Sequence, residues 1–298
     1  MSNKNSLKSI NGILLYDKEA GISSNSCLQK LKKQFKAKKA GHTGTLDPLA
    51  SGMLPICFGE ATKFASFLLE ADKVYEVTAK LGIETTTYDS CGEIINIRTF
   101  SPFTDVEIKK AIINFTGLIS QIPPIYSAIK QSGKRLYELA RSGKSVEILP
   151  REVKIFSFEL IKNLGSTVSF KIHCSKGTYI RSLIHDLGQT LGCGAHVIAL
   201  RRLKVGHLTG DMLIDGNTLI SGNVEDYLLP MDYLLSNRPK ICLPMDLIIK
   251  LQQGQKINYS GNEETGVYCL YDTAESFYGL INLLPERIFI AKRMLTPL

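Results

Sequence analysis

The chain has 298 residues, of which 44% are apolar, and a formal net charge of +8. This size and composition indicate a globular protein with one large core or two unequal ones. No apolar run approaches the ~18 residues that a membrane span requires, and the N-terminus lacks the apolar core of a secretion signal. Seven scattered cysteines without a CxxC pair are typical of reduced thiols. The sequence therefore predicts a soluble, cytoplasmic protein with no membrane partner.

Positive charge is concentrated near the N-terminus. Within residues 1–41, nine lysines stand against Asp17 and Glu19, which accounts for nearly all of the net charge. Clustered lysines gain affinity for polyanions because they release counterions from phosphates. The pattern favours a polyanionic partner, although a merely solvated helix face would look the same.

The first predicted elements lead to a loop of turn-forming residues. NGILLYDKEAG predicts a buried strand, and SSNSCLQKLKKQF predicts a helix that starts at Ser23 or Ser24. The apolar face of this helix holds Leu28, Leu31 and Phe35, and its lysines cover the remaining surface. The loop GHTGTLDP follows. LPICFG, VYEVTAKLGI and EIINI are the next strand candidates.

Strands and helices alternate irregularly through the middle of the chain. TDVEIKKAIINFTG predicts a helix that starts at Thr104 or Asp105, and IPPIYSAIKQSGKRLYELARSGKS predicts an extended segment that turns into a helix. REVKIFSFELIKN, STVSFKIHCS and AHVIALRRLKVG predict strands. GTYIRSLIHDLGQTLG predicts a helix because its apolar residues recur at helical spacing: Ile180, Leu183, Ile184, Leu187 and Leu191.

Because strands outnumber helices and often follow one another directly, we expect an α+β fold with a mainly antiparallel mixed sheet flanked by helices. Residues 209–239 are rich in Gly, Asn, Asp and Pro and predict a connection. Beyond it, a short strand, the helix DLIIKLQQG and the strands VYCLYD, FYGLINLL and RIFIAKRML follow. The sequence therefore predicts two domains, residues 1–236 and a small β-rich unit of residues 237–298.

The loop GHTGTLDPLASG contains a single carboxylate, that of Asp47. Asp before Pro starts turns, so Asp47 can be explained as a turn residue. A carboxylate can also act as a covalent nucleophile in glycosidic-bond chemistry if it is held rigidly and balanced by a cation. Arg181, at the start of a predicted helix and off its apolar stripe, is the best candidate cation, although such an Arg also forms surface or structural ion pairs.

Common nucleotide and hydrolase motifs are excluded. ARSGKS resembles a phosphate loop, but Glu138 stands where that motif needs Gly. No GxGxxG follows a strand, and neither HExxH nor GxSxG occurs.

Four long motifs together resemble the bacterial tRNA pseudouridine synthase B family. They are GHTGTLDPLASGMLPICFGEATKF, DKVYEVTAKLG, IPPIYSAIKQSGKRLYELAR and CSKGTYIRSLIHDLGQTLGCGAHVIALRRL, and the likeness is close over residues 10–205 and looser beyond. The resemblance implies a pseudouridine synthase fold with a C-terminal PUA-like RNA-binding domain. It also implies isomerisation of uridine 55 in the T loop of tRNA, without cofactor, metal or guide RNA. The sequence leaves the oligomeric state open, and a monomer is the default expectation.

The resemblance further implies a role for individual residues. Asp47 is then the catalytic nucleophile, which attacks ribose C1′ or assists loss of the base through a glycal-like species. The implied substrate-binding residues are His42, which helps displace the loop, Tyr75, which stacks on the flipped uracil, and Tyr179, Arg181 and Leu200, which line the pocket. Arg181 would pair with Asp47. Asp89 is implied as an acid that supports the arginine of the site.

The resemblance places Lys18 and Lys130 close to the pocket or to RNA, and plain surface exposure is the alternative for each. Lys32, Lys36 and Lys39 are expected to bind RNA because they belong to the lysine-rich segment. We expect the lysine-rich helix over residues 24–39 to supply phosphate contacts. Two departures stand out: Val74 replaces a residue that is often basic in the family, and Thr86 replaces an acid that is common there.

Two other functions remain compatible with parts of the sequence. A protein that binds and refolds tRNA without catalysis would use the same lysines, but it would have no need of a nucleophile. A subunit that depends on a guide RNA is disfavoured because the chain lacks long basic extensions.

Overall fold

The computed structural model describes residues 7–126, 130–131, 134–135, 148–221 and 223–296. The helix expected near residues 136–140 lies outside them. Strands dominate the described chain, and they are β1 (Gly12–Lys18), β2 (Ala40–His42), β3 (Ser51–Phe58), β4 (Lys73–Leu81), β5 (Ile83–Thr85), β6 (Ile94–Ile97), β7 (Gly117–Gln121), β8 (Lys130–Gln131), β9 (Lys134–Arg135), β10 (Arg151–Asn163), β11 (Thr167–Cys174), β12 (Ala195–Val205), β13 (Lys240–Cys242), β14 (Ile257–Asn258), β15 (Gly266–Tyr271), β16 (Phe277–Leu283) and β17 (Ile288–Met294).

The α-helices are shorter and fewer. They are α1 (Ser24–Gln34), α2 (Ala65–Leu69), α3 (Asp105–Ile113), α4 (Ile180–Thr190), α5 (Thr218–Ser221) and α6 (Met245–Gln252). Short 3-10 turns cover Gly59–Lys63, Gly210–Met212, Val224–Tyr227 and Met231–Leu235. None of the helices in the described part of the chain has the length and apolar character needed to cross a bilayer.

The main sheet runs in the order β1-β3-β12-β4-β11-β10-β7, with β2 paired to β3. Every pairing in it is antiparallel except that of β12 with β3, which is parallel. The predicted α+β fold with a mainly antiparallel mixed sheet is therefore confirmed. β12 lies inside the sheet, between β3 and β4, so both of its neighbours can contribute to a site beside it.

One face of this sheet packs against α1, α3 and α4. Helix α4 buries Ile180, Leu183, Ile184 and Leu187, as its apolar spacing predicted. Helix α3 starts with the expected Thr104 cap, whose hydroxyl accepts from the backbone N of Glu107 while the Glu107 carboxylate accepts from the backbone N of Thr104. These helices supply apolar side chains to the core that covers this face of the sheet.

Helix α1 differs from its predicted length. It starts after Ser23, whose side chain accepts from the backbone N of Ser26, and it ends at Gln34. Lys36 has a left-handed φ of 52°, which an α-helix cannot contain. The expectation of one lysine-rich helix over residues 24–39 was therefore wrong, and the lysines after Gln34 lie on the segment that leads into β2.

The predicted long strand VYEVTAKLGI is also divided. Gly82 adopts a φ of 85° and separates β4 from β5. A Cβ at this position would lie 2.8 Å from the Phe100 ring, so the turn requires glycine both for its backbone angle and for space. After this break the chain leaves the main sheet, and the loop that follows β5 returns toward α4.

A second sheet forms the C-terminal unit, in the order β13-β15-β16-β17-β14, with α6 packed on it. A small C-terminal β-rich unit was predicted and is present. Its inner face shares a second apolar cluster with the back of the main sheet, where Ile13 and Met53 meet Cys269 and Leu280. Strands β1 and β3 are consequently buried on both faces.

Candidate active site

The loop between β2 and β3 carries Asp47 and is held to α1 by hydrogen bonds. The hydroxyl of Ser24 donates to the Leu46 carbonyl at 3.0 Å and accepts from the Leu46 backbone N at 2.7 Å. The Gly21 backbone N donates to the Pro48 carbonyl at 2.8 Å. Because the residues on both sides of Asp47 are bound through their backbones, the loop presents this carboxylate from a fixed position.

The same loop is held from β12 by a buried arginine. The guanidinium of Arg202 donates from Nη2 to the Gly44 carbonyl at 3.2 Å, from Nη1 to the Thr45 carbonyl at 3.5 Å, and from Nε to the Met53 carbonyl at 2.8 Å. Only 1% of Arg202 is exposed. The loop therefore lies between α1 on one side and β12 on the other.

Asp47 faces Arg181 at the start of α4. Nε of Arg181 lies 2.8 Å from Oδ2 of Asp47, a close ion pair without the alignment of a hydrogen bond. Nη1 of Arg181 lies 3.3 Å from Oδ2 of Asp89. The side chain of Asp47 is 35% exposed, whereas those of Arg181 and Asp89 are 5% and 7% exposed. Of these three charged groups, only the Asp47 carboxylate is accessible to a substrate.

Arg181 is fixed by two further contacts. Nη1 donates to the Thr87 carbonyl at 2.9 Å and Nη2 donates to the Tyr126 carbonyl at 3.0 Å. Because Arg181 is buried, a surface ion pair is wrong for this residue, whereas a structural ion pair, the other alternative, agrees with its contacts. Since one buried cation faces two carboxylates, the three side chains together carry a formal charge of −1, and this charge is accessible at Asp47.

Asp89 is oriented by its own loop. Its Oδ1 accepts from the Thr87 hydroxyl at 2.6 Å and from the Cys91 backbone N at 3.0 Å. Tyr88, which lies between Thr87 and Asp89 in the chain, has a left-handed φ of 61° and stacks on His185 of α4, with ring centroids 4.0 Å apart. Burial lowers the pKa of His185, so the stacked ring is neutral at pH 7.

Thr86, where the family often has an acid, closes the base of this loop. Its hydroxyl accepts from the Glu93 backbone N at 3.1 Å, and its own backbone N donates to the Glu93 carbonyl at 2.9 Å. Neutral groups thus close the loop at Thr86. The acid that this loop directs toward Arg181 is Asp89.

Tyr75 and His42 lie beside Arg202. Tyr75 on β4 pairs across the sheet with Arg202 on β12. Burial raises the pKa of Tyr75, and the charge of Arg202 opposes that rise. His42 ends β2, and its Nδ1 accepts from the Gly44 backbone N at 3.4 Å. Burial and then the charge of Arg202 lower the pKa of His42, so this imidazole is neutral at pH 7.

Tyr179 and Leu200 occupy different surroundings. Tyr179 precedes α4, where its backbone N donates to the Gln121 side chain at 2.8 Å and its carbonyl accepts from the same amide at 3.0 Å. Its side chain is half-buried. Leu200 is 7% exposed, pairs with Val77 of β4 and belongs to the main core. Leu200 therefore has a packing role in the structure, whatever it contacts in a complex.

Among the predicted basic residues, Lys18 departs most from expectation. It is completely buried, and its Nζ donates to the Glu19 and Ile22 carbonyls, both at 2.8 Å. Surface exposure is therefore wrong for Lys18, because its ammonium group closes the turn that precedes α1. Lys36 and Lys39 are exposed and Lys32 is half-buried. The side chain of Lys130 lies outside the described residues.

Two residues that hold this site were not predicted to do so. Ser24 was considered only as a helix cap, and Ser23 is the cap that the structure shows. Arg202 lies in the motif VIALRRL, next to another arginine, and nothing in the sequence separates the two. Strand alternation alone offers a signal, since neighbouring residues point to opposite faces and one of the two must face the core.

The arrangement can perform nucleophilic or electrostatic catalysis by a carboxylate. A rigid loop exposes Asp47, a buried guanidinium neutralises part of its charge, an aromatic ring lies on β4, and a neutral imidazole lies at the end of β2. Among the described residues, no three His, Cys, Asp or Glu side chains come together in a way that could hold a metal ion.

Two family models match the chain in succession. One, described as TruB family pseudouridylate synthase (N terminal domain), matches residues 32–180. The other, described as tRNA pseudouridylate synthase B C-terminal domain, matches residues 181–236.

Full-length relatives and a solved structure agree with these models. A Nitrosococcus oceani protein named tRNA pseudouridine synthase B is 43% identical over 295 residues, covering 96% of this chain and 95% of that protein. A protein of the same name from Burkholderia mallei is 43% identical over 297 residues, covering 95% and 98%. A chain in the structure of an H/ACA RNP bound to a substrate RNA superposes with a TM-score of 0.74 at 23% identity, covering 96% of this chain and 85% of that one. At that identity the likeness concerns the fold alone.

Proposed function

The chain belongs to the TruB family of pseudouridylate synthases, and on this premise we propose that it converts uridine 55 in the T loop of tRNA to pseudouridine. The reaction is an isomerisation. The N-glycosidic bond breaks, the uracil turns while it stays bound, and ribose C1′ becomes joined to uracil C5. No atom is gained or lost, because the proton leaves C5 and N1 becomes protonated.

Asp47 is the proposed nucleophile, and its exposure is the observation that carries the assignment. It is the one member of the Asp47–Arg181–Asp89 cluster with an accessible carboxylate, at 35% exposure. Its carboxylate attacks ribose C1′, or it assists departure of the uracil through a glycal-like species. Both routes require the charge and fixed position that Arg181 and the loop contacts supply.

The other site residues receive substrate-binding roles under this proposal. The ring of Tyr75 stacks on the flipped uracil. Because its raised pKa keeps the Tyr75 hydroxyl protonated at neutral pH, that hydroxyl can assist removal of the C5 proton only as a relay that gives up one proton as it accepts another. Tyr179, Arg181 and Leu200 line the pocket, and Asp89 supports Arg181.

A uridine stacked inside a tRNA loop must leave its stack before Asp47 can reach it. Base flipping of this kind costs a few kcal/mol, which binding must offset. His42, at the edge of the Asp47 loop and neutral at pH 7, can enter the vacated space without a charge to desolvate. Lys32, Lys36 and Lys39 provide phosphate contacts close to the N-terminal end of the same loop.

We further propose that the protein acts in the cytoplasm as a monomer, without a guide RNA, a metal or a cofactor. Residues 1–236 are proposed as the catalytic domain and residues 237–298 as a PUA-like RNA-binding domain. The basic residues of the N-terminal segment contribute affinity for the T arm through phosphates, and the loops around Asp47 select the uridine.

The test replaces the nucleophile without changing its shape. Wild type, Asp47→Asn and Asp246→Asn would each be incubated with a T-arm transcript, without metal or nucleotide, and pseudouridine would be mapped by carbodiimide labelling and primer extension. Asp246 is an exposed acid on α6 with one 4.0 Å contact to Lys250, so its substitution controls for the loss of one negative charge.

We expect a stop at the T-loop uridine with wild type and Asp246→Asn, and none with Asp47→Asn. Affinity for the transcript should stay within about tenfold, since removing an acid does not remove a phosphate contact. A stop with Asp47→Asn would refute the nucleophile. Tight binding without a stop for any protein would instead indicate a tRNA-binding and refolding protein.

A further inference from the structure

Arg202 differs from the arginines around it in having no acidic partner. Arg181 pairs with Asp47 and Arg201 pairs with Asp17. Within the described chain, no carboxylate lies within ion-pair distance of Arg202, and yet the residue is almost completely buried, with 1% of it exposed. A buried charge that lacks a counter-ion is costly, so its hydrogen bonds must compensate for that cost.

Those hydrogen bonds go to the two ends of the Asp47 loop. The acceptors are the carbonyls of Gly44 and Thr45, which precede Asp47, and the carbonyl of Met53, which follows it on β3. A planar guanidinium directs its N–H groups in fixed directions, so one side chain sets the distance between the two ends. Of these bonds, that to Met53 is the shortest, at 2.8 Å.

The backbone around Arg202 is packed to bring these groups together. Arg202 pairs with Gly52 of β3 on one side and with Tyr75 of β4 on the other. A Cβ at Gly52 would lie 2.3 Å from the Arg202 carbonyl oxygen. Only a glycine lets β3 approach β12 this closely, and β3 begins directly after the Asp47 loop.

Arg202 also reaches the aromatic residue of the site. Tyr75 is the cross-strand neighbour of Arg202, and the charge of Arg202 opposes the rise that burial causes in the pKa of Tyr75. A single side chain thus binds both ends of the loop that carries the proposed nucleophile and lies directly across the sheet from the residue proposed to stack on the uracil.

We propose that Arg202 is a positioning residue that fixes the Asp47 loop relative to Tyr75. This inference rests on the proposed function of Asp47. Arg202 does not touch the reacting atoms. It holds the carboxylate and the stacking ring in one frame, so that the flipped base lies between them at the distance that the reaction requires.

The guanidinium group is needed, not only a positive charge. Lysine at this position would keep a cation, but a single ammonium group cannot hold three carbonyls of two segments in the same directions. Displacement of a reacting group by about 1 Å can reduce a rate by about 100-fold. Loss of the frame should therefore affect catalysis far more than affinity for RNA.

The experiment compares neighbouring arginines on one strand. Arg202→Lys and Arg202→Met would be measured beside Arg201→Lys and Arg201→Met, whose side chain is 41% exposed and bonded to Asp17. For each protein the single-turnover rate, the Kd for a T-arm transcript and the thermal midpoint would be determined. The pKa of His42 would be followed by NMR with labelled histidine, assigned through His42→Asn.

For both Arg202 variants we expect a rate lower by about 100-fold with a Kd within about threefold of wild type, and for the Arg201 variants a rate within about threefold. The pKa of His42 should rise in Arg202→Met, which loses the charge, and stay low in Arg202→Lys, which keeps it. The histidine titration reports that the charge of Arg202 lies beside the loop, and the loss of rate at an unchanged Kd is the result that a role limited to general stability would not produce.

Two results would overturn the inference: an Arg202→Lys rate within about threefold of wild type, or a loss of rate matched by an equal loss of affinity. If Arg202→Met does not fold, Arg202→Lys decides the question through its rate. Absence of product from wild type would refute the proposed function instead, and the histidine titration does not depend on catalysis.

Discussion

Ser24 shows how one hydroxyl can fix a catalytic loop. It is 1% exposed and satisfies both backbone groups of Leu46, the residue before Asp47. If the hydroxyl is removed, a buried N–H and a buried C=O lose their partner. Leaving a buried polar group unsatisfied costs about 1–3 kcal/mol.

We therefore expect Ser24→Ala to lower the free energy of unfolding by about 1–3 kcal/mol and to slow pseudouridine formation by about tenfold or more as the loop loosens. Ser26→Ala is the matched control, because Ser26 is exposed and, within the described residues, its hydroxyl bonds only that of Ser23. Urea denaturation and single-turnover assays would measure both effects. Equal behaviour of the two variants would show that the Leu46 contacts do not hold the loop.

At the scale of whole strands, the approach of β3 to β12 depends on Gly52. Its φ is 98°, and the space for a Cβ is occupied by the backbone of Arg202. Gly21 has a similar φ of 93°, but a Cβ there would meet nothing within 4 Å. An alanine at either position would meet a similarly unfavourable φ, so the two positions differ mainly in steric crowding.

This pair permits a test of the strand contact by itself. Gly21→Ala should cost about 1 kcal/mol for the unfavourable φ, whereas Gly52→Ala should cost several kcal/mol because backbone atoms must move. The difference, measured by urea denaturation, isolates the clash. Similar costs for both variants would mean that β3 can shift away from β12 easily, and that the frame around Arg202 is less rigid than its packing indicates.

The elements that the sequence predicted well are those with a regular apolar period. Helix α4 and strand β10 were located from residue spacing, since each buries one face against the same core. Strands β2 and β7 were missed because they are short and only partly buried, with little periodicity to detect. The end of α1 was misplaced because lysines fit a helix and the adjoining segment equally well.

The residues of the site also fall into those that the sequence identified and those that it did not. Asp47, Arg181 and Asp89 are named by the resemblance, and the structure brings them together. Ser24 and Arg202 act through carbonyls and amides, which every residue possesses, so no sequence pattern reports these contacts. Their recognition requires the register between β3, β4 and β12, which is a property of the folded chain.

Across the whole molecule, the C-terminal unit and the main sheet share one apolar cluster. Leu280 of β16 is fully buried and belongs to the same cluster as Ile13 of β1 and Met53 of β3. Met53 is also the residue whose carbonyl binds Arg202. The apolar contacts of the C-terminal unit thus reach the back of the strand that supports the Asp47 loop.

This shared cluster predicts that β16 and β3 lose stability together. Leu280→Ala should lower the free energy of unfolding by about 2–5 kcal/mol, and the amides of Ile13 and Met53 should lose hydrogen-exchange protection along with those of β16. Ile249→Ala on α6, where the side chain is 46% exposed, should change little. If the two units unfold separately, only the C-terminal amides will lose protection in Leu280→Ala. If they unfold as one, the C-terminal unit stabilises β3, the strand that supports the Asp47 loop. The C-terminal unit then contributes to the reaction by keeping this loop rigid as well as by contacting RNA.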